Sequence, residues 1–166
     1  MNLVEELEIT EPPVPVESIA RELYAHLTYE AFDGDVSGML YRENDHAIIG
    51  VNSRHAPTRQ RFTIAHEIGH LVLHKGQPMF VDRFVLVNWR AGGSGREERE
   101  ANAFAAELLM PRTLLGAEID RAVSRHPSVT PNELIAELSH KFKVSAEAMS
   151  YKLSNLGVLD PYLLTG

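Results

Sequence analysis

The sequence contains no cysteine among its 166 residues. A disulfide framework, a cysteine-ligated zinc finger and a cysteine nucleophile are therefore excluded. Basic residues are in short supply: 16 lysines and arginines stand against 23 aspartates and glutamates, for a net charge of −7. A chain of that sign gains little from phosphate backbones, which argues against a general nucleic-acid binder. No apolar run approaches the roughly 18 residues of a membrane-spanning helix, so no membrane partner is expected. The opening MNLVEELEITEPPVPVE has neither the basic region nor the apolar region of a signal peptide. These features lead us to expect a soluble cytoplasmic protein. What is present is ordinary globular composition, 44% hydrophobic and 23% charged, which excludes disorder of the whole chain.

Pro12, Pro13 and Pro15 close a charged N-terminal stretch that reads as an extended arm over 1–15. Ile19, Ala20, Leu23 and Leu27 recur at helical spacing and predict an amphipathic helix over 16–26. Gly34 and Gly38 punctuate the next stretch, which reads as strands. The apolar runs Met39-Leu40-Tyr41 and Ala47–Val51 flank an Asn44-Asp45 turn signal. A long helix is expected over 57–75. Pro57 suits its first turn, and Phe62, Ala65, Ile68, Leu71 and Val72 form an apolar stripe. Gly76 and Pro78 end it. Phe84–Val87 could be a strand, and Ala91–Gly95 is a glycine-rich loop. Two further helices are expected over 96–110 and 112–125, separated by Pro111. Thr130, Pro131 and Glu133 announce a capped helix over 131–142, and another follows over 145–155. The expected architecture is α+β. A small, mainly antiparallel sheet lies on two long helices in a domain over 16–126, and a helical, helix-turn-helix-like subdomain follows over 127–166.

The chemistry sits in His66-Glu67-Ile68-Gly69-His70, an H-E-x-x-H sequence inside a predicted helix. Four residues advance a helix by about 400°, so both imidazoles stand on one face, where they can chelate a tetrahedral Zn²⁺. Glu67 points about 60° away from His70, out of the ligand plane but within reach of a water activated by the metal. That is the place of a general base for hydrolysis of a carbonyl bond. A catalytic zinc needs a third protein ligand. The next long helix offers Glu97 and Glu98, which flank the upward extension of the face formed by Ala101, Phe104, Ala105, Leu108 and Leu109. Glu100 points well away. Periodicity does not choose between Glu97 and Glu98.

Beyond that core, the run from His66 through Leu71-Val72-Leu73-His74 and the run from Glu98-Arg99-Glu100-Ala101-Asn102 through Leu109-Met110-Pro111 resemble the ImmA/IrrE metallopeptidase family. Asn52, Arg59–Ala65 and the tail from Phe142 to Gly157 carry the same resemblance, which covers about residues 16–160. It implies a minimal, gluzincin-like zincin fold, with Zn²⁺ as cofactor and Glu98 as the third ligand beside His66 and His70. It also implies a polar residue supporting a ligand histidine at Asn102. The implied activity is zinc endopeptidase, with a protein substrate. The implied target class is a helix-turn-helix repressor encoded nearby, whose cleavage switches on mobile-element or stress genes.

His74 continues the histidine face one turn further, too far along a straight helix for easy closure on the same ion, which favours a supporting role. Gly69 costs about 1 kcal/mol against alanine inside a helix, so close packing of another element is expected there. The Ala47–Val51 run could present a sheet edge to an extended substrate. Trp89 reads as core. Tyr151 is one candidate for stabilising a developing oxyanion. The tail over 128–166 carries Lys141, Lys143 and Lys152 against Glu133, Glu137, Glu147 and Asp160, a balance that argues against direct DNA contact. The alternative function is a non-catalytic regulatory module that holds a partner on a zincin scaffold.

Overall fold

A computed structural model describes residues 3–33, 35–43, 46–76, 78–83 and 95–159. Gly34, the Asn44-Asp45 turn, the expected strand at Phe84–Val87, Trp89 and loop residues 91–94 lie outside the described residues. In chain order the elements are α1 (Leu3–Glu6), α2 (Val16–Glu22), β1 (Ala25–Glu30), β2 (Val36–Glu43), β3 (His46–Asn52), α3 (Pro57–Leu73), β4 (Met79–Arg83), α4 (Arg96–Leu109), α5 (Arg112–Arg125), α6 (Pro131–Phe142) and α7 (Ala146–Asn155). The fold is α+β, and its sheet is small and mainly antiparallel, consistent with a minimal zincin-like fold. Among the described residues, no helix is long and apolar enough to cross a membrane. The chain divides into two compact units, Pro15–Ala105 and the described residues of Met1–Val14 with Ala106–Gly166.

In the unit over Pro15–Ala105 the four strands lie in the order β1-β3-β2-β4. β1 runs parallel to β3, while β2 is antiparallel to both β3 and β4. Leu40 pairs with Ile49 on one side and Phe80 on the other. These three, with Ala47 and Val51, are buried on one face. Tyr41, Ile48 and Met79 stand on the opposite, exposed face, as the period of 2 requires. β3 is therefore an inner strand, not an edge. The Ala47–Val51 run is paired on both sides, which leaves β1 and β4 as the edges among the described residues.

α2 is shorter than its apolar pattern suggested. Tyr24 takes a left-handed conformation at φ 58°, and Ala25 and His26, which the pattern placed at the end of the helix, open β1 and pair with β3 instead. The inter-strand ladder outweighs local periodicity here. α3 also departs from the single-stripe expectation. Ile64, Ala65 and Ile68 are fully buried, but so is the whole run from Thr63 to His70, while Phe62, Leu71 and Val72 are half-buried. The helix has the sheet on one side and α4 on another, so nearly all of its circumference is covered.

The other unit is helical. Thr130 caps α6 in a reciprocal box: its hydroxyl accepts from the Glu133 N–H, and the Glu133 carboxylate accepts from the Thr130 N–H. Ser145 caps α7 by accepting from the Ala148 N–H. Leu134, Leu138 and Phe142 repeat every four residues and bury one side of α6. At the end of α7, Gly157 takes φ 71°, which lets the Val158 N–H turn back to the Leu153 carbonyl at 3.0 Å. The N-terminal stretch expected to be extended contains one helical turn, α1, with Leu3 and Val4 buried.

Candidate metal centre

The start of α3 is fixed by a polar knot. Asn52 is 2% exposed. Its Nδ2 donates to the Val36 carbonyl at 2.8 Å, and its Oδ1 accepts from the Arg54 N–H at 3.0 Å. Gln60 Nε2 donates to the Asn52 carbonyl at 3.2 Å, and Arg59 donates to the Ser37 hydroxyl at 3.0 Å. Arg61, nearly buried, faces Glu17 at 3.8 Å and so ties α3 to α2. These bonds set the rotation and register of α3 on the sheet. The H-E-x-x-H turn consequently lies between the sheet and α4.

Gly69 makes the approach of α4 possible. A Cβ there would stand 3.1 Å from Ala101 Cα, 3.2 Å from the Ala101 carbonyl oxygen and 3.2 Å from the Phe104 ring. The close packing expected from a mid-helix glycine is present, and it is against α4. Glu98, one turn before Ala101, is thereby carried to the two histidines.

His66 Nε2 lies 3.0 Å from His70 Nε2. Glu98 Oε2 is 3.3 Å from His66 Nε2, and Glu98 Oε1 is 3.3 Å from His70 Nε2. Ligands about 2.0–2.1 Å from a tetrahedral zinc stand about 3.3–3.4 Å apart, so the spacing fits one ion. The donor set, two imidazole nitrogens and one carboxylate, is that of a catalytic zinc site with a position left open. Among the described residues, these three form the group whose donor atoms could hold a metal. The structure thus brings Glu98, not Glu97, to the histidines. The imidazoles of His66 and then His70 hold the Glu98 carboxyl far below the ordinary carboxylate range, overcoming its partial burial.

The outer ring atoms are held as well. His66 Nδ1 is 3.0 Å from Asn102 Oδ1, an acceptor oxygen that suits a proton on this nitrogen and a lone pair on Nε2. His70 Nδ1 is 2.9 Å from His74 Nδ1, and His74 Nε2 is 3.1 Å from Glu100 Oε2. His74 stands behind His70 and outside the three-residue group. Glu100 points away from that group too, but it reaches His74. Tyr151 is on α7.

Glu67 is wholly buried. Its carboxylate lies against Gly38 of β2, where a Cβ would come within 2.9 Å of Oε1. Arg42, on the same strand, donates to the His70 carbonyl at 2.6 Å, and its guanidinium lies 5.7 Å from the Phe80 ring centre. Phe80 in turn stacks on the His70 ring at 4.0 Å. Burial lowers the Arg42 pKa, and the negative charge of Glu67 partly restores it.

Gly38, Arg42, Phe80 and Glu100 were not found as site residues from the sequence. Gly38 punctuates the sequence pattern, yet it lies inside β2, and an isolated glycine within a strand marks a close backbone approach. That signal was legible. Arg42, Phe80 and Glu100 reach the site only through sheet register and helix packing, for which no local pattern exists.

The family described as IrrE N-terminal-like domain matches residues 20–154. The chain is 33% identical over 113 residues to the radiation response metalloprotease IrrE of Deinococcus radiodurans, a match covering 66% of this chain and 31% of the relative. It is 35% identical over 112 residues to the IrrE of Deinococcus deserti, covering 66% of this chain and 37% of the relative. It is 29% identical over 126 residues to the metallopeptidase ImmA of Bacillus subtilis, covering 75% of this chain and 66% of the relative. The chain spans about a third of the length of the two Deinococcus relatives. The match over 20–154 takes in α3 and α4 with all of His66, Glu67, His70 and Glu98, and the chain belongs to the ImmA/IrrE family of metallopeptidases.

Proposed function

We propose that this protein is a zinc-dependent endopeptidase that hydrolyses a peptide bond of a protein substrate. His66, His70 and Glu98 hold the metal, and Glu67 is the general base. The observation that carries this reading is the convergence of two imidazole nitrogens and one carboxylate at 3.0–3.3 Å, with a wholly buried Glu67 next to His66 in sequence. A zinc ion held by these residues would supply Lewis-acid polarisation of the scissile carbonyl and would lower the pKa of a bound water toward neutrality. Glu67 would accept a proton from the attacking water and return it to the leaving amine. Its burial removes competing solvent, and the Arg42 charge on β2 is close enough to interact with it.

The substrate we infer is a helix-turn-helix transcriptional repressor encoded nearby, whose cleavage would switch on mobile-element or stress genes. The motif resemblance supports this, and such a target places the reaction in the cytoplasm. For substrate alignment we assign the outer edge of β4, which borders the site through the stack of Phe80 on His70 and can add an extended peptide as a further strand.

The test begins with elemental mass spectrometry of protein purified without chelator, where about one zinc per chain is expected. Purified repressors encoded beside the gene are then incubated with the wild type and with Glu67→Gln. Cleavage by the wild type, and a Glu67→Gln variant that keeps zinc but cuts at least ~1,000-fold more slowly, are the expected results. A variant that cuts at near-normal rate sinks the mechanism. Wild type that binds a repressor tightly without product would identify a regulatory module.

A further inference from the structure

A second histidine and a second carboxylate stand in line behind His70. Arg96 Nε donates to Glu100 Oε1 at 2.6 Å. Glu100 Oε2 is 3.1 Å from His74 Nε2. His74 Nδ1 is 2.9 Å from His70 Nδ1, and His70 Nε2 faces Glu98 and His66. His70 is fully buried, and His74 is 7% exposed, so neither ring has bulk water as an alternative partner.

The direction of the hydrogen bonds follows from the far end of this row. A carboxylate paired with an arginine is an acceptor only. His74 Nε2 must therefore carry a proton to bond it. A neutral imidazole has one N–H, so His74 Nδ1 is left with a lone pair. The facing His70 Nδ1 must then be the donor, and His70 Nε2 is left with the lone pair that faces Glu98 and His66. Reversing the row would place a proton on His70 Nε2, where it would block a metal bond.

We propose that His74 and Glu100 are positioning residues: a Glu100–His74–His70 relay that fixes the tautomer and ring orientation of His70. It goes further than the direct histidine–acceptor contact that His66 makes with Asn102, because an imidazole is inserted between the ligand ring and its carboxylate. The insertion is needed because His74 occupies the place behind His70 one turn along α3, while Glu100 comes from α4. The relay therefore couples the ligand set to the packing of the two helices. Glu98 acts from one turn of α4 on the metal side of His70, and Glu100 acts on its far side.

This proposal rests on the metal-centre reading, and its test separates the two. Long-range ¹H–¹⁵N NMR of the metal-free protein, at a pH where the rings are neutral, reads each tautomer directly. The expected result is the Nε2–H form for His74 and the Nδ1–H form for His70. Zinc affinity is then measured by chelator competition. His74→Ala is expected to weaken it about 10–100-fold, the usual effect of losing a partner that orients a ligand histidine. Glu100→Ala, at a half-exposed position that spares folding, is expected to weaken it about tenfold and to shift His74 toward its Nδ1–H form. Glu100→Gln, which retains an acceptor oxygen, is expected to fall between wild type and Glu100→Ala. A wild type with His74 in the Nδ1–H form, or a Glu100→Ala variant within twofold of wild-type zinc affinity, overturns the relay and leaves the metal centre standing. A wild type that binds no zinc yet shows the stated tautomers supports the relay and overturns the metal centre.

Discussion

Gly38 of β2 lies directly against Glu67 of α3: a Cβ at position 38 would stand 2.9 Å from Glu67 Oε1 and 2.3 Å from Thr63 Cγ2. The backbone oxygen of Gly50 on β3 blocks a third direction at 3.0 Å. The proposed general base is thus seated against bare backbone, and β2 holds α3 at the closest distance the chain allows. Gly38→Ala should force Glu67 aside. Peptidase activity should fall at least tenfold while zinc content stays near one per chain, with about 1–3 kcal/mol lost from unfolding stability through overpacking. Kinetics alongside elemental analysis tests this, and wild-type activity in the variant would show that the contact is not constraining.

Glu97 and Glu98 differ by one residue and should differ sharply in effect. Glu98→Ala removes one of three proposed ligands, so zinc affinity should drop by at least ~100-fold in chelator competition. Glu97→Ala should stay within about threefold of wild type. The reverse order would assign the third ligand to Glu97 and contradict the geometry of α4.

Asn102 Oδ1 lies 3.0 Å from His66 Nδ1. Asn102→Ala should weaken zinc binding by about 10–100-fold. Asn102→Asp, which keeps an acceptor in place, should hold affinity near the wild-type value. Equal losses in both variants would mean that the residue serves packing and not the tautomer of His66.

Gly69→Ala sets two effects against each other. Helix propensity favours alanine by about 1 kcal/mol. The new Cβ would press on Ala101 backbone at 3.1 Å, which costs about 1–3 kcal/mol if α4 does not yield. Displacing α4 carries Glu98 away from His66 and His70. Stability should therefore change little, while zinc affinity falls several-fold. A variant with higher stability and unchanged affinity would show that the helices separate freely.

Glu118 of α5 is 2% exposed and bonds Lys141 of α6 and, at 2.5 Å, Arg121. Burial pushes its carboxyl up, but the hydrogen bonds and charges of Lys141 and Arg121 outweigh this and bring the pKa below its ordinary value. A carboxyl depressed on folding adds stability above its unfolded pKa, and that stability is lost as pH falls through the folded value. Wild type should thus lead Glu118→Gln in urea unfolding at pH 7 and lose the lead as the pH drops below the ordinary carboxylate range. Lys141→Met leaves a buried anion poorly paired and should cost about 2–3 kcal/mol at pH 7, more than Glu118→Gln costs. The opposite order would make the network dispensable.

The local pattern held most of the helices. Periodicity and proline placement located α3, α4, α5 and α6 within a few residues, and the Thr130–Glu133 capping box is a signature of adjacent residues. His66, Glu67 and His70 are likewise legible, because i and i+4 on one helix need no tertiary information to share a face. Tertiary structure decided everything that depends on register between elements. β3 is an inner strand because β1 returns parallel beside it, and Ala25 and His26 are strand because that pairing outcompetes a weak helical pattern. Choosing Glu98 over Glu97 depends on how closely α4 approaches α3, which Gly69 and Ala101 set. Gly38, Arg42, Phe80 and Glu100 surround the site through contacts that span from 10 to 29 positions along the chain. Spacing along one helix is a local property of the chain, whereas the meeting of two elements is fixed only when both are packed.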